Sequence, residues 1–233
     1  MPLENKVLSL MQPTYIPWLG YFNLIKNSDE FVIYTTTQLN KRSWQTRNRI
    51  KSPNGILMLS IPIKKTLKRD EIIIKDTQVE NNFNWQEKHL KSIKQSYSKS
   101  PFFDNIYPLI QNVLNQKSNY LIDYTVPLIL MFIDHLNIES KIIFSDEIQY
   151  GGKKDEALVS ICKERKAETY LSVTGAKDYI LAGENIFTNN KIQLKWNEFI
   201  HPKYEQPFGT FESHLSIIDA LFVLGFQGVQ KLI

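Results

Sequence analysis

Three short stretches of this 233-residue chain gather residue types that could bind a small molecule and act on it. The first is Gln12-Pro13-Thr14-Tyr15-Ile16-Pro17-Trp18, with Tyr21 just beyond. Aromatic faces beside an amide give flat stacking plus directed hydrogen bonds, which suits a sugar or a nucleobase. Packing of the helix that follows would account equally well for Trp18 and Tyr21. The second stretch, Lys41 to Lys51, holds five cations in eleven residues. Guanidinium forks match phosphate oxygens two at a time, so Arg47 and Arg49, interleaved with Trp44 and Asn48, suit a diphosphate better than a solvated basic face. The third, Ser172-Val173-Thr174-Gly175-Ala176-Lys177, ends an apolar run with hydroxyls, one glycine and a lysine. A single glycine is a weak phosphate signal, and a plain turn explains it too.

Proton transfer falls to the four histidines, His89, His135, His201 and His214. His89 sits in the stripe Trp85, His89, Ile93, Tyr97, where it is either a neutral base near pH 7 or a packed core residue. His201-Pro202-Lys203-Tyr204-Glu205-Gln206 is a polar, proline-held loop whose His201, Tyr204 and Gln206 packing explains less easily. His135 ends an apolar helix and reads as a cap. No two histidines stand at metal-ligand spacing, and the single cysteine, Cys162, lies in an apolar helical run. Neither a metal nor a cofactor is expected, and no serine or cysteine elbow is visible.

These groups need a scaffold, and the hydrophobic pattern supplies one. Lys6–Met11 and Glu30–Tyr34 read as strands around a helix over Trp18–Ile25, a βαβ opening with right-handed crossover. Pro53-Asn54-Gly55 marks a turn before a buried strand, Ile56–Ile63. Residues 83–137 form a mainly helical insertion, with a break at Ser100-Pro101. Lys141–Phe144, a helix over Ala157–Ala167, and Thr169–Val173 make a second strand–helix–strand unit, and Lys191–Trp196 alternates as a late strand. Ser216-Ile217-Ile218-Asp219 resembles a capping box opening an apolar helix that stops near Gly225. The expected fold is α/β and Rossmann-like, a mostly parallel sheet of βαβ units in a single domain over 1–233. Ligands bind beyond the carboxyl ends of strands in such sheets, which selects Gln12–Trp18, Thr35–Arg49 and Ser172–Lys177.

Composition sets the limits. Hydrophobic residues at 42% and charged residues at 22% are those of an ordinary globular chain. Net charge is +4, but residues 1–118 carry 17 Lys+Arg against 9 Asp+Glu, and residues 119–233 carry 11 against 15. That asymmetry suggests an anionic partner for the first half. The start lacks the charged-then-apolar build of a secretory signal, and the longest apolar run, Val126–Ile133, is far short of the ~20 residues that span a bilayer. A cytoplasmic protein is expected. Nucleic acid would want more basic surface than one segment offers.

Taken together, Gln12-Pro13-x-Tyr15-x-Pro17-Trp18-x-Gly20-Tyr21-Phe22, Trp44-x-x-Arg47-Asn48-Arg49, Lys88-His89, Tyr170-Leu171-Ser172, His201-Pro202-x-Tyr204-x-Gln206 and Leu215-Ser216-Ile217-Ile218-Asp219 resemble the WbqC-like family, over roughly residues 7–228. These bacterial proteins recur in O-antigen and surface-polysaccharide gene clusters. The resemblance implies a transferase that moves an acyl or aminoacyl (glycyl-type) group onto a nucleotide-linked amino sugar. Arg47 and Arg49 would hold the diphosphate, Tyr15 and Trp18 the base or sugar, and His89 or His201 would take the amine proton. Its relatives usually carry acidic residues after the second strand, where this chain reads Thr35-Thr36-Thr37-Gln38, which argues against a metal. The expected partners are a nucleotide-activated sugar and an acyl or aminoacyl donor, with neither nucleic acid nor membrane, and homodimerisation is left open. Two rival functions remain: a non-catalytic nucleotide-sugar-binding or scaffold protein, and an ATP-dependent nucleotidyltransferase-like enzyme, for which His-x-Gly-His is missing.

Overall fold

A computed structural model describes residues 5–40, 43–64, 72–180 and 184–233; Lys41 and Arg42 of the basic segment lie outside them. In chain order the elements are β1 (Val7–Met11), α1 (Leu19–Lys26), β2 (Glu30–Ile33), β3 (Arg47–Ser52) and β4 (Gly55–Ser60). Then come α2 (Trp85–Tyr97), α3 (Phe103–Leu114), α4 (Ile122–His135), β5 (Lys141–Phe144), α5 (Asp155–Glu164) and β6 (Thr169–Val173). The last are α6 (Lys177–Ile180), α7 (Glu184–Asn189), β7 (Gln193–Asn197) and α8 (Ile217–Gln230). The chain forms two compact units. Met1–Gln12, Asn23–Thr35 and Ile138–Ile200 make a sheet unit, and Pro13–Phe22, Thr36–Asn137 and His201–Ile233 make a hairpin-and-helix unit.

The sheet unit has the Rossmann-like α/β architecture. Its five strands run in the order β5-β2-β1-β6-β7, and every ladder is parallel. The inner strands β1 and β2 are mostly apolar and buried, as strands covered on both faces must be, while β7 at the edge alternates between exposed and covered residues. Leu8, Leu10, Val32 and Tyr170 share one core with Ile161 and Cys162 of α5 and Phe187 of α7. Cys162 is core: it is buried, and desolvation pushes its thiol up to about 12. The second strand–helix–strand unit, β5, α5 and β6, does not join neighbouring strands. β5 adds beside β2 and β6 beside β1, so the two strands lie on opposite sides of the β1–β2 pair.

In the second unit, β3 and β4 form an antiparallel hairpin closed by Pro53-Asn54, with Gly55 at φ 101 where a side chain would be strained. Two expectations change here. Within the basic segment Arg47–Ser52 is a strand rather than a loop, and Ile56–Met58 of β4 are exposed rather than buried. The stripe Trp85, His89, Ile93 and Tyr97 is buried along α2, as four-residue spacing on a helix dictates. α8 begins at Ser216, whose hydroxyl accepts the Ile218 amide; Asp219 completes no capping box but turns inward. Gly225 breaks the helix at φ 67 and ψ 175 without ending it. Phe102 lies against that glycine, where a Cβ would strike its ring.

Candidate functional site

β3 alternates, so Arg47 and Arg49 share one face while Asn48 and Ile50 share the other, which is buried. The two guanidinium carbons stand 5.9 and 5.5 Å from the ring centre of Trp44, which is itself 47% exposed. Among the described residues the Nε atoms of both arginines are buried with no hydrogen-bond partner. Arg49 also donates from Nη2 to the His214 carbonyl at 3.1 Å. An aromatic plate beside two cations has the chemistry that a planar or sugar group carrying phosphate would require. Asn48 plays a structural part instead, since its Nδ2 donates to the carbonyls of Tyr15 and Ile16 at 3.1 and 2.7 Å. It ties the proline-rich loop to the arginine strand, and the Tyr15 amide returns a bond to Trp44 O at 3.0 Å.

His89 is buried and hydrogen-bonded. The Tyr15 phenol and Nδ1 share a hydrogen bond at 2.9 Å, and the ring also bonds the Ser60 backbone. Burial pushes the His89 pKa down to about 4, with the Ser60 carbonyl opposing, so the ring is neutral at pH 7. Tyr15 is fully buried, and desolvation raises its phenol's pKa. Tyr21 is buried in the same way.

The second histidine group is built on Trp18. The indole of Trp18 stacks on His201 (centroids 6.2 Å apart, planes 9° apart) and on His214 (4.9 Å, 30°), and the two imidazoles stand 5.0 Å apart. Gly20 makes this possible, since a Cβ there would fall inside the Trp18 indole. That is the physical reason for Trp-x-Gly in the sequence. His201 donates from Nδ1 to the Pro202 carbonyl at 3.0 Å, which makes Nε2 the unprotonated, proton-accepting nitrogen. Burial chiefly, and His214 beside it, lower the His201 pKa against the pull of that carbonyl. The chain of contacts Trp44, Arg49, His214, His201 thus joins the arginine strand to a neutral base.

Sequence reasoning missed Asp219, which is 0% exposed. It accepts the phenols of Tyr97 and Tyr204 at 2.7 Å each. Burial raises its pKa while the two phenols and Lys51 pull it down. The Tyr97 hydroxyl in turn accepts the Lys51 amide at 2.9 Å, and Lys51 Nζ donates to Gln206 Oε1 and to the Thr210 carbonyl. Gln206 closes the loop on Glu212 through two further bonds. This buried network fixes the His201–Gln206 loop against β3. Its one sequence signal is a carboxylate inside the apolar run Ile217-Ile218-Asp219-Ala220-Leu221.

The WbqC-like protein family matches residues 12–231, which spans nearly all of these groups. The chain belongs to that family. It is also 30% identical over 224 residues, 95% of each chain, to the uncharacterized protein Rv1507c of Mycobacterium tuberculosis. No solved structure matches. Within this WbqC-like chain the sequence candidates divide by unit. Tyr15, Trp18, Trp44, Arg47, Asn48, Arg49, His89, His201, Tyr204 and Gln206 are brought together by the contacts above, whereas Gln12, Ser172 and Gly175 belong to the sheet unit. Ser172 is buried and bonds the Tyr170 phenol, while Gly175 is exposed with open space at its Cβ. Thr35 is buried, bonded to Ser145 Oγ and to Asp146 Oδ1 at 3.3 Å, so the turn after β5 brings a carboxylate to the end of β2. Among the described residues no group of three His, Cys, Asp or Glu could hold a metal ion, and no helix is long and apolar enough to cross a membrane.

Proposed function

We propose that this protein transfers an acyl or aminoacyl group to the amino group of a nucleotide-linked sugar in surface-polysaccharide synthesis. The observation that carries the reading is the arginine pair on β3, bracketing Trp44 with both Nε atoms unpartnered. Arg47 and Arg49 neutralise the diphosphate, Trp44 takes the flat face of base or sugar, and Tyr204 and Gln206 hold the His201 loop. The amine nitrogen attacks the donor's carbonyl carbon and a C–N bond forms. The bond from that carbon to the donor's leaving group breaks, and its electron pair departs with that group. The amine's proton goes to Nε2 of His201, whose lowered pKa keeps it neutral and ready near pH 7. His89 serves by anchoring Tyr15 rather than by meeting substrate.

A second reading, non-catalytic nucleotide-sugar binding, is favoured by the burial and hydrogen bonding of His89, which leave His201 of the two histidines first considered as bases. Incubation with a panel of nucleotide-linked amino sugars and acyl or aminoacyl donors separates the two. Acylated sugar detected by mass spectrometry, and lost in His201→Gln, is the result expected of the enzyme. Tight sugar-nucleotide binding without any product would overturn the enzyme in favour of the binding protein.

A further inference from the structure

The sheet unit holds a feature that the arginine site does not use. Strand β1 is paired with β2 to its last residue, at Met11↔Ile33, and β6 with β7 to Val173↔Asn197. Between β1 and β6 the ladder runs only through Val7↔Thr169 and Leu8↔Tyr170. The two central strands therefore part over their last three residues, Ser9–Met11 and Leu171–Val173. The split falls where strand order reverses, with β2 and β5 laid down on one side of β1 and β6 and β7 on the other. In open parallel sheets that point, outside the carboxyl ends, is where a crevice for ligand forms. Exposure rises along the split. Ser9 and Ser172 at its root are buried, Met11, Gln12 and Val173 are half-buried, and Gly175 at its mouth is exposed.

The groups at the carboxyl ends of β6 and β7, beside the split, have a defined chemistry. Trp196, near the carboxyl end of β7, is half-buried, and Lys177 Nζ stands 5.6 Å from its ring centre. The same ammonium lies 3.7 Å from Glu198, whose side chain is 75% exposed. An exposed ion pair of this kind is weak, so a phosphate can take the lysine from it. Gly175 leaves the backbone approachable, because nothing lies within 4 Å of the place its Cβ would occupy. An aromatic face, a cation that can be recruited, the Thr174 hydroxyl and an open glycine answer to a flat ring joined to phosphate.

We propose that the split between β1 and β6 is a second ligand site, for a nucleoside phosphate. The site stands on the sheet unit alone; the ligand's role, bringing the activated acyl group, rests on the transfer reading above. The test titrates the full chain with ATP, GTP, CTP and UTP in turn, by calorimetry and tryptophan fluorescence. To separate this site from the arginine strand, the same titrations use the double variant Arg47→Ala/Arg49→Ala. One nucleoside triphosphate binds wild type and still binds the double variant, with affinity within about twofold. Gly175→Leu keeps its melting temperature, since its side chain grows into open space, and loses at least about tenfold in affinity. Lys177→Gln, which alters no backbone, weakens binding several-fold. Failure of all four nucleotides to bind the double variant overturns the second site, as does unchanged affinity in both Gly175→Leu and Lys177→Gln. Loss of nucleotide-sugar binding in the double variant, with the triphosphate retained, separates failure of one site from failure of the other.

Discussion

Tyr97, on α2, donates its phenolic hydrogen to the Asp219 carboxylate, on α8, at 2.7 Å, and Tyr204 donates to the other oxygen at the same distance. The carboxylate has no water to fall back on, so each donor lost leaves a buried charge less satisfied. Asp219→Ala removes the hub and leaves two phenols and Lys51 without it. It should cost about 3–5 kcal/mol, the range for breaking a buried charged network. Tyr204→Phe removes one bond to a charged group and should cost about 1.5–3 kcal/mol. Urea denaturation measures both, and a loss under about 1 kcal/mol in Asp219→Ala would show that the network does not hold the loop.

His89 makes stability depend on pH. Its folded-state pKa is about 4 against 6.5 for the free side chain, so the unfolded chain binds the extra proton between those values. Stability from the neutral ring is fully present above pH 6.5 and is lost as pH falls through 4. Two and a half pH units at ~1.36 kcal/mol each make about 3 kcal/mol. The urea midpoint should therefore drop steadily from pH 6.5 to 4.5 in wild type and much less in His89→Gln. Equal slopes would place the lost protons elsewhere.

Gly20→Ala is a small change with a local consequence. The added methyl meets the Trp18 indole, so the ring must leave its stack on His201 and His214. Tryptophan fluorescence and the near-ultraviolet circular dichroism should change while far-ultraviolet helix signal stays. An unaltered tryptophan signal would mean that the indole has room that the stack denies it.

The parallel strands and α2 were legible because apolar runs and four-residue spacing follow directly from burial. Arg47–Ser52 was not: its charged residues hide the strand, since Asn48 and Ile50 face the interior while Arg47 and Arg49 face out. Asp219 was hidden for the opposite reason. Its place in the first turn suits a cap, and only the approach of Tyr97 and Tyr204 from distant elements gives it another role. The arginine pair could be singled out in the sequence, because residue type alone carries charge and fork geometry. The two roles open to His89 could not be separated from spacing, because what decides them is a phenol 74 positions away in sequence.

Turnover should follow the state of His201. Its pKa is lowered, chiefly by burial, so the base is deprotonated above a midpoint lying below 6.5. The rate should rise with pH to that midpoint and level off, and His201→Gln should lose the limb along with most activity. EDTA should leave the rate unchanged, because two guanidiniums supply the positive charge that a diphosphate needs. Salt should slow it by screening them. Activity lost in EDTA and restored by magnesium would contradict that arrangement.

Whether the arginine strand receives a diphosphate is decided by calorimetric titration of nucleotide-linked amino sugars against wild type, Arg47→Ala and Arg49→Ala. Each arginine makes charge-assisted bonds that water replaces poorly, so each alanine variant should bind about 1.5–3 kcal/mol more weakly. Arg47→Lys should recover little, since an ammonium cannot form the two-pronged contact. Affinity unchanged in both alanine variants would contradict the phosphate-binding role and leave Arg47, Arg49 and Trp44 as a solvated basic face.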